Sequence, residues 1–533
     1  MTGDAAVPVA PSVELYDTTL RDGAQGTGFS YSIDDRLRIL HKIDQLGVPF
    51  IEGGWPGSNP RDTEFFKLAT KETLQHATLT SFGMTRKAGE KPEDSAVLHE
   101  LLDTGTEVVC IVGKASALHV TEALRTDLPE GLAMIEDSIS FLHREGRRVF
   151  FDAEHFFDGY LFDPAFAMQA LDAAENGGAE RLVLCDTNGG MLPHDIARIL
   201  DTVSTGVHAR LGIHVHNDAG CAVANSLIAV EHGAYQVQGV VNGYGERTGN
   251  ADLIPIAANL VLKMGMTDAL PEGSLERLTE VAHYVAEVAN VAPESRQPYA
   301  GRYAFTHKAG LHASGVARLE TAYEHVSPTS VGNHRGIAVS DLGGAATLTL
   351  KAREFGLGLE PAVIPALLQD IKEREAGGYT FEVADASLEL LMRRAMGWKQ
   401  EYFAVESYKA IVQERWGEGA VAEATVKVIT NDERHIETAE GHGPVGALDN
   451  ALRKALTNEY PELGHMSLED YRVRVLDENI GTGAVVRVLI DTSNGEREWT
   501  TVGVSENILE ASWEALVESY AFGLLHPRAH AEG

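Results

Sequence analysis

The residues best suited to chemistry begin with His214-Val215-His216. In a strand, positions i and i+2 face one side, so both imidazoles can reach a single ion. A carboxylate from a neighbouring strand end would complete a donor set suited to Mg²⁺, Mn²⁺, Zn²⁺ or Fe²⁺, with positions left for substrate. Asp22 and Asn250 are the candidates for that completion. A lone pair of histidines is more often hydrogen-bonded to protein than to metal, so it is the company they keep that argues for an ion. Arg21, beside Asp22, reads either as an ion-pair partner or as a guanidinium that steadies a developing oxyanion or grips a carboxylate. Glu154 precedes His155-Phe156-Phe157 and is either a structural ion-pair partner or a carboxylate tuned by aromatic surroundings for proton transfer.

What must position these groups is a series of strands. Short apolar, β-branched runs recur at Val13–Asp17, Val48–Gly53, Thr78–Gly83, Glu107–Gly113, Arg148–Asp152, Arg181–Asp186, Gly212–His216 and Gln236–Asn242. Stretches of helical period lie between them, such as Ile33 to Leu40, and most end at a glycine: Gly47, Gly105, Gly146, Gly178 or Gly233. Eight strand–helix units in sequence predict a closed (β/α)8 TIM barrel. The open doubly wound alternative lacks support, because Gly23-Ala24-Gln25-Gly26-Thr27-Gly28 does not follow the G-x-G-x-x-G order. In such a barrel, function gathers at the C-terminal strand ends. Asp17 to Gln25, Asp152 to His155, Asp186-Thr187-Asn188, His214 to Asp218 and Asn242 to Asn250 all fall there.

The chain of 533 residues carries 78 acidic and 44 basic side chains, a formal charge of −34. That field repels a phosphate backbone, so nucleic acid is not an expected partner, and a phosphate-bearing ligand needs a local basic pocket. Three cysteines, Cys110, Cys185 and Cys221, sit in apolar contexts and fit packing in a reducing compartment. Met1 to Pro11 lacks a basic stretch and a long apolar core, and nowhere do apolar residues run long enough to span a bilayer. A cytoplasmic location without membrane association is expected. The barrel should occupy 1–270, a mostly helical linker subdomain 271–402, and a C-terminal α+β domain with an internal repeat 403–533. That repeat is strands leading into one helix, twice: Ala424–Ile429 and Arg434–Ala439 before a helix from Ala447, then Tyr471–Leu476, Val485–Asp491 and Arg497–Val504 before a helix from Glu506. It holds no catalytic cluster, which points to regulation or dimerisation.

At these residues the sequence resembles the α-isopropylmalate synthase family, a branch of the DRE-TIM metallolyases, and within it the citramalate synthase group. The matching segments are Leu20-Arg21-Asp22-Gly23-x-Gln25, Phe151 to Tyr160, Gly212-x-His214-x-His216-Asn217-Asp218, Asn242 to Asn250, and Ala304 to His312. The resemblance implies an acyltransferase that condenses acetyl-CoA with a small 2-oxo acid and then hydrolyses the thioester. It implies a divalent ion (Mg²⁺ or Mn²⁺, with Zn²⁺ an option) held by Asp22, His214, His216 and Asn250. Arg21 would polarise the 2-oxo carbonyl, and Gln25 and Thr187 would orient the acid. Glu154 and His312, with Tyr323 near them, would serve proton transfers on acetyl-CoA. His312 would reach the neighbouring subunit's site, which makes a homodimer, and the C-terminal domain would bind an amino-acid effector, isoleucine or leucine.

Pyruvate is the favoured acid, giving citramalate and a place in isoleucine biosynthesis; 2-oxoisovalerate, giving 2-isopropylmalate, is the alternative. A related CoA-ester lyase would carry a cysteine in the loop Gly243 to Gly249, which has none. The biotinyl Met-Lys-Met of a carboxyltransferase is likewise missing from the sequence. A catalytically silent amino-acid sensor is the remaining class, opposed by the intact Asp22, His214, His216 and Asn250 set. Two departures stand out: Ala24 replaces an acidic residue common in relatives, and the loop Gly113 to Val120 differs from the pattern of citramalate-type relatives.

Overall fold

A computed structural model describes residues 13–307, 315, 319, 323–337, 339, 344–399, 402–415, 419–476 and 484–528. The chain divides into two compact units, Met1–Phe305 with Val326–Arg335, and Thr306–His325 with Gly336–Gly533.

The first unit is a closed eight-stranded barrel. Its strands are β1 (Glu14–Asp17), β2 (Phe50–Glu52), β3 (Thr78–Met84), β4 (Val108–Lys114), β5 (Arg148–Glu154), β6 (Arg181–Asp186), β7 (Arg210–Val215) and β8 (Gln236–Gly239). All pairs are parallel, and Asp17 opposite Gly239 closes the ring. The predicted helix at Ile33 runs to Leu46, and it starts because Ser32 and Asp35 form a reciprocal capping box. Gly47, Gly105, Gly146, Gly178 and Gly233 all take positive φ, the left-handed turn that ends a helix without a Cβ penalty. Outward-facing strand residues such as Leu15, Ile51, Val109 and Ile213 pack with Ile39, Ile43, Leu142 and Leu200 of the surrounding helices.

Alternation along the strands decides what faces inward. Low in the barrel the inner rows are aromatic: Tyr16, Phe50, Phe82 and Phe150 cluster with Val108 and Cys110, and the Phe50 and Phe150 rings meet edge-on at 5.2 Å. Two and four residues further up, the same rows turn polar, as Asp152 and Glu154 do above Phe150. Arg181 at the foot of β6 grips Glu14 of β1 through two bonds of 3.0 Å.

The second unit holds helices Ala345–Glu354, Ile364–Ala376 and Asp385–Ala395 around Leu348, Ile371, Phe381 and Leu388. It continues with two three-stranded antiparallel sheets. Ala404–Arg415, Gly419–Thr430 and Glu433–Gly441 lead into helix Pro444–Leu456; Ser467–Val475, Val486–Ser493 and Glu498–Ser505 lead into helix Ile508–Leu525. The doubled module is as the repeat predicts, with one addition: the first copy also has a leading strand, Ala404–Arg415, which sequence reading leaves out. The helices share a core of Leu448, Leu452, Leu516 and Tyr520, and the Tyr520 hydroxyl donates to Asp449 Oδ1 at 2.7 Å.

Candidate active site

Strand alternation brings His214 and His216 to the inner face of β7, where Asp22 meets them from the segment after β1. Asp22 Oδ2 lies 3.4 Å from His214 Nε2 and 3.7 Å from His216 Nε2. All three are buried, and their ligand atoms lie within 4.8 Å of one another. The tautomer of His214 follows from its neighbours. Gln238 Nε2 donates to Asp152 Oδ1 at 2.9 Å, so Gln238 Oε1 faces His214 Nδ1, 3.0 Å away, as an acceptor. Nδ1 therefore carries the hydrogen, and the Nε2 lone pair is aimed at Asp22. A bridge between His216 and Asn250 draws the loop after β8 alongside. Asn250 Nδ2 donates to Asp22 Oδ1 at 3.1 Å and to the Tyr244 carbonyl at 3.0 Å. Its Oδ1 is buried with no partner among the described residues. An unsatisfied amide oxygen beside a carboxylate and two imidazoles fits a divalent cation, because each donor atom left over is one that binds metal.

The electrostatics agree with that fit. Burial pushes the Asp22 carboxyl up, but Arg21 and then the two histidines outweigh it and hold it well below the carboxylate range. Burial and the neighbouring His214 lower His216 to about 4, so its imidazole is neutral near pH 7, as a metal ligand would need to be. For His214, burial lowers the affinity for a proton, but the Asp22 carboxylate outweighs it and the net shift is upward. A proton and a cation therefore compete for that Nε2.

Arg21 is fixed by three partners. It donates from Nε to Glu52 Oε1 and from Nη1 to Asp22 Oδ2 at 3.1 Å, and its guanidinium lies 3.8 Å over the Phe82 ring. Glu52 is held in turn by the Tyr16 hydroxyl at 2.7 Å. The third guanidinium nitrogen, Nη2, has no bond to the described residues and is available to substrate. Thr187 Oγ1 accepts from the His155 backbone N–H at 2.8 Å, which leaves its own hydrogen to donate. His155 takes φ +57°, and its ring stacks on His119 at 3.8 Å. Glu154 meets Lys114 Nζ at 2.5 Å.

Arg21, Asp22, Gln25, Glu154, Thr187, His214 and His216 line one cavity of about 370 Å³, walled by Trp55, Phe82, Met84, Val112 and Met134. The sequence-derived barrel residues thus converge, with Asn250 bonded to them through Asp22. Tyr323 belongs to the second unit, where its ring is 45% exposed. His312 lies outside the described residues. Glu52, Asp152, Gln238 and Lys114 are functional neighbours whose roles sequence reading leaves unassigned. Their signal was available: each is a polar residue at or near the C-terminal end of a strand, on its inward row.

Residues 12–285 match the HMGL-like family, residues 300–377 the homocitrate synthase post-HMGL domain-like family, and residues 382–524 the LeuA allosteric (dimerisation) domain. An (R)-citramalate synthase of Streptomyces coelicolor is 50% identical over 518 residues, which span 96% of this chain and 97% of that protein. One from Aquifex aeolicus is 48% identical over 97% of this chain and 98% of its own. One from Sulfolobus acidocaldarius is 43% identical over 96% and 97%. With agreement of this degree running through barrel, linker and C-terminal module alike, the chain belongs to the HMGL-like family, in its (R)-citramalate synthase group.

Proposed function

We propose that the chain condenses acetyl-CoA with pyruvate and hydrolyses the thioester formed, releasing citramalate and CoA. The observation that carries this reading is the single cavity in which Asp22, His214 and His216 stand with Arg21 and Glu154. Glu154 takes a proton from the acetyl methyl group, and the electron pair of that C–H bond moves into an enolate. The enolate carbon attacks the 2-oxo carbon of pyruvate, whose carbonyl oxygen takes up the displaced pair. Asp22, His214, His216 and Asn250 would hold a divalent ion, which would supply Lewis-acid polarisation of the 2-oxo acid. Arg21 Nη2 donates to the oxygen on which charge develops, and it does so without reorganising because Glu52 and Asp22 already fix the other two nitrogens. Thr187 and Gln25 hold the acid in register for attack. Water then cleaves the thioester, giving the second carboxylate and free CoA.

His312 and Tyr323 complete the proton transfers in this reading, His312 from the neighbouring protomer of a homodimer. The proposed parts are barrel 1–270, linker 271–402 and regulatory domain 403–533. The match of residues 382–524 to an allosteric dimerisation domain supports dimerisation and feedback; isoleucine is the proposed effector, and a cytoplasmic place in isoleucine biosynthesis follows from pyruvate as the proposed substrate. Among the described residues no helix is long and apolar enough to cross a membrane. The test is CoA release from acetyl-CoA with Mg²⁺ or Mn²⁺, offering pyruvate, 2-oxobutyrate, 2-oxoisovalerate and 2-oxoglutarate in turn. Release with pyruvate that vanishes on chelation and in His214→Ala is the expected result. Preference for 2-oxoisovalerate would overturn the substrate, and no release with any acid would overturn the reaction.

A further inference from the structure

Making an enolate from a thioester needs a hydrogen-bond donor at the thioester oxygen, most strongly a cationic one, as well as a base at the methyl. The cavity contains three cationic side chains, and two are committed elsewhere. Arg21 is held by Glu52 and Asp22 on the metal side. Arg247, 42% exposed, forks onto Asp218 at 2.9 and 3.0 Å and also donates to the Thr187 carbonyl at 2.8 Å. The third is Lys114. It ends β4 on the inward row of Cys110 and Val112, and in the parallel ladder it stands directly opposite Glu154. The Ala115 N–H donates to the Glu154 carbonyl at 3.0 Å, which pins the two strand ends together. Lys114 Nζ lies 2.5 Å from Glu154 Oε2, and both side chains line the cavity. An ammonium has three N–H donors, and among the described residues Glu154 engages one.

We propose that Lys114 is a catalytic residue that donates to the thioester oxygen of acetyl-CoA while Glu154 removes the methyl proton; this rests on the reaction proposed above. The step balances within the ion pair. The C–H bond breaks and its proton goes to the Glu154 carboxylate. The C–H pair forms the enolate C=C bond, and the carbonyl π pair moves to oxygen. Before the step Lys114 faces a carboxylate; after it, the carboxylate is neutral and the negative charge sits on the enolate oxygen. The lysine's counter-ion has changed place but not strength, so the charge transfer occurs beside a cation that is already positioned. His155 adds no competing cation, since burial and then His119 lower it from its ordinary value. Lysine suits this role better than arginine because a compact point charge can serve two oxygens in turn.

The test compares Lys114→Met and Lys114→Arg with the wild-type dimer, using acetyl-CoA, pyruvate and Mn²⁺. Lys114→Met should lower kcat by about 10²–10³-fold, the loss that follows removal of one oxyanion donor, with the pyruvate KM within about threefold. The isotope effect with methyl-deuterated acetyl-CoA should rise, because proton removal becomes more rate-limiting. Lys114→Arg should recover part of the loss. Mn²⁺ affinity and melting temperature should match wild type, which separates this role from a structural one. A Lys114→Met kcat within threefold of wild type overturns the assignment. So does a loss confined to the pyruvate KM, which would make Lys114 a holder of the acid's carboxylate, or an unchanged isotope effect with lost Mn²⁺ binding. A wild-type chain that releases no CoA refutes the reaction itself, before the lysine is in question.

Discussion

Gln238→Leu isolates the support behind the proposed metal ligands. Gln238 is fully buried and bridges His214 Nδ1 at 3.0 Å to Asp152 Oδ1 at 2.9 Å. Leucine keeps much of the volume but removes both bonds. His214 loses the acceptor that fixes its tautomer and ring angle, and Asp152, whose carboxyl burial already pushes up, loses a donor. Losing a partner behind a ligating histidine typically costs 10–100-fold in metal affinity, about 1.4–2.7 kcal/mol. Each orphaned buried group adds about 1–3 kcal/mol of destabilisation. The control is Gln236→Leu, two residues down the same inward row: Gln236 is also fully buried, but neither of its side-chain polar atoms has a partner among the described residues. Removing two unsatisfied groups should leave stability equal or higher and Mn²⁺ affinity unchanged. The assay is Mn²⁺ titration by calorimetry with denaturant unfolding of all three proteins. Gln238→Leu binding Mn²⁺ within threefold of wild type, or no more weakly than Gln236→Leu, would refute the reasoning.

Asp17 is buried and its carboxyl is raised from 3.8 to about 7, chiefly by desolvation. The folded chain therefore holds that proton where the unfolded chain has lost it, and the group's contribution to stability falls as pH rises from about 4 to about 7. Asp17→Asn should melt higher than wild type at pH 8, with the gap narrowing as pH falls below about 7 and closing near pH 4; a gap that does not depend on pH would count against it. Val112 walls the cavity, and Val112→Ala removes two methyl groups' worth of volume. It should raise kcat/KM for 2-oxobutyrate relative to pyruvate by about tenfold, from roughly 1–3 kcal/mol per small group; an unchanged ratio would exclude that wall from selection. Asn431 and Asp432 turn the hairpin with φ of +49° and +62°. Asp432→Gly should raise the unfolding free energy of the C-terminal domain by about 0.5–1 kcal/mol, read by calorimetry, because glycine takes that conformation without strain.

How much of this was legible in the sequence depends on what each residue answers to. Barrel strands are buried on both faces, so most read as predominantly apolar runs, and all eight lie within a few residues of the bounds the sequence predicts. The glycines that end helices were legible because positive φ is a backbone demand with few other solutions. Ala404–Arg415 was not, since Ala404-Val405-Glu406-Ser407-Tyr408-Lys409 mixes charge and alanine and carries weak strand preference. It is a strand because Gly419–Thr430 pairs with it along its length. Only tertiary pairing makes that choice.

The site divides along the same line. Asp22, His214, His216 and Asn250 stand out as candidates because ligand chemistry restricts residue type and strand geometry restricts spacing. Glu52, Asp152, Gln238 and Lys114 satisfy partners distant in sequence, from His214 at a separation of 24 from Gln238 to Asp152 at 86 from it. A polar residue inside an apolar strand is by itself only an anomaly, and what resolves it is the neighbour that closure of the barrel brings opposite. The ligands could therefore be read one strand at a time. Their supports become visible only when the closed barrel lays β2 beside β1, β4 beside β5 and β8 beside β7, because each matches a group on or beyond another strand. That is also why substitutions at the supports discriminate best: replacing a proposed ligand would remove the ion whatever the mechanism, whereas replacing Gln238 or Lys114 alters only the groups it touches and leaves the rest of the cavity to report what those contacts did.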